Sequence, residues 1–96
     1  MTDRAGREAL VAAGHRLVAM GLSAGSSGNL SLRTGSGLLI TPTGIPYEAI
    51  GPGDIVPLLQ DGTPAPGAGS PSSEWRIHRD IYAARPDAAA VVHAHP

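Results

Sequence analysis

The chain has 96 residues, the size of one small domain. It contains seven Lys and Arg and eight Asp and Glu, which give a formal net charge of −1. Neither nucleic acid nor an anionic membrane is therefore an expected partner. It contains no cysteine, which excludes disulfides and thiolate metal sites, and the early apolar run at 9–13 is too short for a secretory signal or a membrane span. We therefore expect a cytoplasmic protein in which any metal ion is held by nitrogen and oxygen ligands.

The first part of the chain is predicted to contain one helix and two strands. No proline interrupts residues 4–20, and apolar residues recur there at helical spacing, which predicts an amphipathic helix that ends near Gly21. Leucines alternate with polar residues over 29–33, and 38–41 repeats the strand pattern after a Gly-Ser-Gly turn. These two strands are predicted to form an antiparallel hairpin.

A third strand and a second helix are predicted next. Residues 55–59 have strand character, and Pro57 among them indicates a sheet edge or a bulge, because proline cannot donate to the strand ladder. A loop at 63–71 then leads to a helix that starts at 73 or 74 and ends near 85, before a proline. This helix is predicted to pack through one broad apolar face made of Trp75, Ile77, Ile81, Tyr82 and Ala84.

The last predicted element is a buried strand in the apolar run 88–92, which continues directly into His93-Ala94-His95. The order of helix, strands, helix and strand predicts an α/β or α+β fold, with a central, mainly antiparallel sheet flanked by helices.

His93 and His95 are the strongest candidates for metal ligands. Side chains two residues apart on a strand lie on the same face, so both imidazoles can reach one ion. The alternative is two ordinary histidines at the end of a strand, and on the residues alone both interpretations stay open.

Glu74 is the natural oxygen ligand to accompany them. Taken alone, it is better explained as an acidic first-turn residue, which stabilises a helix by about 0.3–1 kcal/mol through the helix dipole. Its neighbours strengthen the functional interpretation, because Ser72 and Ser73 hydroxyls and the N–H groups of the same helix start can bind an anion.

Two turns that contain glycine are further candidates for anion binding. One spans 25–29 before a strand and the other spans 41–46 after a strand, and glycine leaves backbone N–H groups uncrowded by a Cβ atom. Taken singly, each is more often only a turn. Neither matches the nucleotide-binding motifs with Gly-Lys-Ser/Thr or Gly-x-Gly-x-x-Gly.

As a whole, the sequence resembles the class II aldolase and adducin family. The resemblance is carried by Gly28-Asn29, Ile40-Thr41-Pro42-Thr43-Gly44-Ile45-Pro46-Tyr47, Pro71-Ser72-Ser73-Glu74-Trp75, Arg85-Pro86-Asp87 and Val91-Val92-His93-Ala94-His95. Five motifs in the family order are far more specific than any one of them. They imply that residues 1–96 are the N-terminal portion of a single domain of this family, so that its fold is truncated.

The resemblance also implies a function: a zinc-dependent aldolase, a lyase that cleaves a ketose 1-phosphate such as L-fuculose 1-phosphate to dihydroxyacetone phosphate and an aldehyde. In this family Zn²⁺, or another divalent transition metal, is bound by the residues matching His93 and His95 together with Glu74, which is also the acid/base. The residues implied to bind the substrate phosphate are Gly28, Asn29, Thr43, Gly44, Ser72 and Ser73.

Further expectations and alternatives follow from the same resemblance. A full-length protein is expected to form a homotetramer that binds a sugar phosphate, whereas the isolated 96 residues are expected to be inactive, since the family takes another histidine and a tyrosine from its C-terminal half. The alternatives within the family are a pentulose-phosphate 4-epimerase, which tends to carry Asp at the position of Glu74, and a dehydratase. A non-catalytic adducin-like scaffold would lack the metal residues.

Overall fold

The computed structural model describes residues 3–96, and the predicted order of helices and strands is confirmed. The elements are α1 (Asp3–Ala19), β1 (Asn29–Arg33), β2 (Gly37–Ile40), β3 (Val56–Leu59), α2 (Trp75–Ala84) and β4 (Ala90–His93), with short 3₁₀ turns at Tyr47–Ala49 and Pro52–Asp54.

The four strands form one antiparallel sheet in the order β3-β2-β1-β4. The predicted hairpin is present, with Ser31 paired to Ile40 across β1 and β2. β3 lies at the sheet edge, as Pro57 indicates, because a residue without a backbone N–H is tolerated there. The fold class predicted from the sequence, a mainly antiparallel sheet flanked by helices, is therefore confirmed.

One face of the sheet is covered by α1. Leu10 and Leu17 of the helix pack in one core cluster with Leu30 and Leu39 from β1 and β2. Full burial of a leucine side chain stabilises a fold by about 1.5–3 kcal/mol. Gly14 lies between the two helix leucines, where a Cβ atom would stand 2.6 Å from the ring of Tyr47, so glycine lets the helix approach this ring.

The opposite face of the sheet is covered by α2, through a narrower contact than predicted. Only His78 and Tyr82 of this helix are buried, and Tyr82 joins the core cluster of Leu38, Ile40, Val56 and Leu58. Ile77 is 47% exposed. The prediction of one broad apolar face was wrong because the residue two positions along a helix points about 200° away, so Trp75 and Ile77 cannot share a contact.

β4 was predicted to be buried, and this was wrong. Its residues alternate between exposed and half-buried, and Val92 is 63% exposed. The cause is that β4 is an edge strand, since among residues 3–96 it pairs only with β1. In the same range, no helix has the length and apolar character needed to cross a membrane.

Candidate metal and phosphate site

Several of the predicted site residues lie at the edge of the sheet where β1 begins and where β2 and β4 end. In an antiparallel sheet the start of one strand lies beside the ends of its neighbours, so the start of β1 adjoins the ends of β2 and β4. Asn29 is directly opposite His93 in this register, and their side chains therefore share a sheet face. Because α2 covers this same face, Glu74, the residue before the helix, is brought to the same edge.

His93 and His95 present their rings to each other. Their ring centroids are 4.7 Å apart in an edge-on arrangement, and the two Nε2 atoms are 3.2 Å apart. Two nitrogens bound at about 2.0–2.1 Å to a tetrahedral ion are separated by about 3.3–3.4 Å. The imidazoles therefore already lie at the spacing of ligands that share one ion.

Glu74 completes a cluster with the two histidines. One potential ligand atom from each of the three residues lies within 4.8 Å of the others, and Glu74 Oε1 is 3.3 Å from His93 Nδ1. Ligands of one tetrahedral ion lie closer together than 4.8 Å, so binding of an ion would draw the carboxylate and the imidazoles together.

The donor set is also chemically suited to a divalent cation. In the part of the chain described here, His93 Nδ1 is buried against Glu74 without hydrogen-bond geometry, and Nε2, the atom beside His95, is the nitrogen that this ring can offer to an ion. Two imidazoles and a carboxylate are ligands that suit Zn²⁺, Mn²⁺ or Co²⁺.

Asn29 links this cluster to the interior of the protein. Its side chain is buried, and its Nδ2 donates a hydrogen bond of 2.7 Å to Glu74 Oε1. Its Oδ1 is in short contact with Nε2 of His78. The amide of Asn29 is thus held from both sides.

His78 is a residue that sequence reasoning missed. It is fully buried, and its Nδ1 lies 2.6 Å from the hydroxyl of Ser31, which in turn lies 2.7 Å from the hydroxyl of Tyr82. The available signal was the spacing of Glu74, His78 and Tyr82, since residues four apart share a helix face. His78 was not among the residues predicted to make the helix contact or the site.

Burial explains the protonation states of this interior group. The pKa of His78 is lowered from 6.5 to about 4, chiefly because burial penalises the charged ring and further because of the charge on His93, while Glu74 opposes the shift. Burial also raises the pKa of the Tyr82 hydroxyl. Both side chains are therefore neutral near pH 7.

Backbone hydrogen bonds bring the second glycine turn to the start of α2. The N–H of Thr43 donates to Ser70 O at 3.1 Å, and the N–H of Ser72 donates to Thr41 O at 2.9 Å. The predicted phosphate residues in these two segments therefore lie side by side. Thr43, Gly44 and Ser73 are exposed, whereas Ser72 is buried and its hydroxyl accepts the N–H of Glu74.

Gly28 fixes the approach of the first glycine turn to the end of β4. Its φ of +77° lies in the region that favours glycine. A Cβ atom there would stand 2.5 Å from His93 O and 2.9 Å from Ser23 Oγ. Ser23 Oγ also accepts the backbone N–H of His95, so Gly28 and Ser23 both support the segment that carries the two histidines.

Comparison with known proteins identifies relatives of this chain. The model of the class II aldolase and adducin N-terminal domain matches residues 8–96. A 5-methylthioribulose-1-phosphate/5-deoxyribulose-1-phosphate aldolase of Rhodospirillum rubrum is 48% identical over 89 residues, which are 93% of this chain and 40% of that protein. The L-fuculose phosphate aldolase of Escherichia coli K12 is 51% identical over 76 residues, or 79% of this chain and 35% of that protein.

Comparison of the fold with solved structures also finds an aldolase. A solved structure of L-fuculose 1-phosphate aldolase superposes with a TM-score of 0.92 at 36% identity, covering 99% of this chain and 46% of that chain. The chain thus spans less than half the length of the relatives that it matches.

Proposed function

Because this chain belongs to the class II aldolase and adducin family, we propose that it supplies the metal-binding and phosphate-binding part of an aldolase that cleaves a ketose 1-phosphate to dihydroxyacetone phosphate and an aldehyde. Residues 1–96 are then the N-terminal portion of one family domain. The observation that carries the proposal is the cluster of Glu74, His93 and His95 at the sheet edge where the glycine turn at Gly28 adjoins β4.

The proposed metal ligands are Glu74, His93 and His95, with Zn²⁺ as the proposed ion. When bound, such an ion supplies a Lewis acid that polarises the oxygen atoms of the ketose. The support from this chain is the 3.2 Å separation of the two Nε2 atoms together with the Glu74 carboxylate, whose ligand atom lies within 4.8 Å of a nitrogen of each ring.

Glu74 is the proposed acid/base. Its side chain is 35% exposed, so a substrate can reach it, and Asn29 holds one of its oxygens through a hydrogen bond. In the aldol direction the carboxylate removes a proton from the carbon beside the carbonyl group, and in the cleavage direction it returns that proton.

The proposed phosphate site consists of neutral donors. Backbone N–H groups and hydroxyls can bind a phosphate without an opposing charge, and a helix start favours an anion. The pairing of 41–43 with 70–72 supports a shared site, because it puts two of the three proposed segments together. The residues assigned to the phosphate are Gly28, Asn29, Thr43, Gly44, Ser72 and Ser73.

The substrate class follows from the relatives. Their names specify L-fuculose phosphate in one case and 5-methylthioribulose 1-phosphate or 5-deoxyribulose 1-phosphate in the other. The named ribulose derivatives are ketose 1-phosphates that differ in the part remote from the phosphate. We therefore propose a ketose 1-phosphate as the substrate, with cleavage by a homotetramer of the full-length protein.

The Glu74→Gln variant of a full-length protein that contains this chain tests the proposal. Gln retains the size of the side chain but cannot take up the proton, so kcat for ketose 1-phosphate cleavage should fall by at least about 100-fold, in the range of acid/base contributions, while the Kd for inorganic phosphate stays within twofold. Release of dihydroxyacetone phosphate measures kcat. Normal turnover of this variant would refute the acid/base role, and a wild-type protein that neither binds Zn²⁺ nor cleaves the substrate would favour a scaffold.

A further inference from the structure

A row of buried polar side chains runs beneath α2 toward the proposed acid/base. It consists of Tyr82, Ser31, His78 and Asn29, all 6% exposed or less. Its successive contacts measure 2.7 Å from Tyr82 to Ser31 and 2.6 Å from Ser31 to His78, then pass from His78 to Asn29. The row ends at Glu74.

The carboxylate at one end of the row and the neutral ring of His78 assign a direction to every hydrogen bond in it. An ionised carboxylate only accepts, so the Asn29 amide must direct Nδ2 to Glu74 and Oδ1 to His78. Oδ1 also only accepts, and the facing Nε2 of His78 must therefore carry the ring proton.

The other half of the row follows from the neutral ring. With its proton on Nε2, His78 accepts at Nδ1, so Ser31 donates its hydroxyl proton to that atom. The Ser31 oxygen is then free to accept the hydroxyl proton of Tyr82. Each donor in the row meets one acceptor, and the other tautomer of His78 would place two acceptors against each other at Asn29.

We propose that His78 is a positioning residue, whose Nε2–H holds the Asn29 amide in the one orientation that donates to Glu74. This inference rests on the proposed function, since it concerns the placement of the acid/base. An apolar side chain at this fully buried position of α2, beside the core cluster that contains Tyr82, would avoid the cost of burying polar groups. The positioning role explains why a histidine is found there instead. Without this constraint Oδ1 of Asn29 loses its donor, and only the hydrogen bond to Glu74 holds the amide.

Nuclear magnetic resonance of the ¹⁵N-labelled chain tests the geometry independently of activity. The ¹⁵N shifts of the His78 ring should report a neutral ring protonated at Nε2 at pH 7. One Asn29 side-chain N–H should be protected from solvent exchange, and His78→Leu should lower its protection factor at least about tenfold. Protonation at Nδ1, or unchanged protection in His78→Leu, would overturn the inference.

Kinetics of the full-length protein provide the second readout. His78→Leu should lower kcat at least tenfold with KM for the ketose 1-phosphate within about threefold, and His78→Gln should recover part of kcat because its amide can still donate to Asn29. His15→Gln is the matched control, which should leave kcat unchanged because His15 is exposed on α1.

Equal losses of kcat in the Leu and Gln variants would indicate a purely structural role of His78 and refute the inference. If the wild-type protein cleaves no ketose 1-phosphate, the proposed function fails, whereas the exchange measurement still decides the role of His78.

Discussion

The buried, neutral His78 should make the stability of this chain depend on pH below about 6.5. In the unfolded chain the ring takes up a proton near pH 6.5, whereas in the folded protein its pKa is about 4. As the pH falls below 6.5, the unfolded state binds a proton that the folded state does not, so the free energy of unfolding decreases.

The magnitude follows from the two pKa values. Between pH 7 and pH 5 the free energy of unfolding should fall by about 2 kcal/mol, and by pH 4 by about 3 kcal/mol, since one pKa unit corresponds to about 1.4 kcal/mol. The groups whose charges act on His78 are Glu74 and His93. Tyr82, which faces it through Ser31, stays neutral because burial raises its pKa.

Urea unfolding followed by the fluorescence of Trp75, the single tryptophan of the chain, measures this effect. With a slope of about 1–2 kcal/mol per M for a chain of this size, the midpoint should drop by about 1–2 M between pH 7 and pH 5. His78→Gln should remove most of the drop, and His15→Gln, at an exposed histidine, should retain it. A wild-type midpoint that stays constant over this range, or the same drop in His78→Gln, would refute the argument that burial keeps His78 neutral.

Two further predictions concern the turn beside β4 and the core. Gly28→Ala should lower the melting temperature by more than Gly25→Ala, and it should weaken Co²⁺ binding, which visible absorption measures. Both positions have positive φ, but a Cβ at 28 meets His93 O, whereas a Cβ at 25 meets no atom of residues 3–96 within 4 Å. Equal effects of the two substitutions would show that backbone strain alone matters. Leu30→Ala should cost about 2–5 kcal/mol in urea unfolding, since Leu30 is 1% exposed, against less than about 1 kcal/mol for Leu59→Ala at 49% exposure; similar costs would place Leu30 outside the core.

The sequence predicted the elements of this fold to within a few residues. The alternation of leucines over 29–33 was sufficient to predict β1, and the proline at 57 limited β3 to an edge or a bulge, of which the structure shows the edge, because strand period and proline chemistry are local properties. The family resemblance, carried by five short motifs, is confirmed by the match over residues 8–96. The roles of individual site residues stay predictions.

The exposure of β4 and the contact face of α2 were mispredicted for a common reason. Burial depends on which element lies against a residue, and nothing in the run 88–92 indicates that, within residues 3–96, β1 is its one strand partner. In α2, apolar residues occur around most of the helix, and the sheet selects the side that carries His78 and Tyr82.

The sequence by itself determined the order of elements and the hairpin, because these depend on residues close together in the chain, and its five family motifs supplied the candidate ligands. Only the tertiary structure decided that Asn29 lies against both Glu74 and His78, residues 45 and 49 positions away. Such contacts depend on strand register and on the placement of a helix over a sheet face, which are set by the packing of the whole domain. The tautomer of a buried histidine follows from those contacts and has no local signature in the chain.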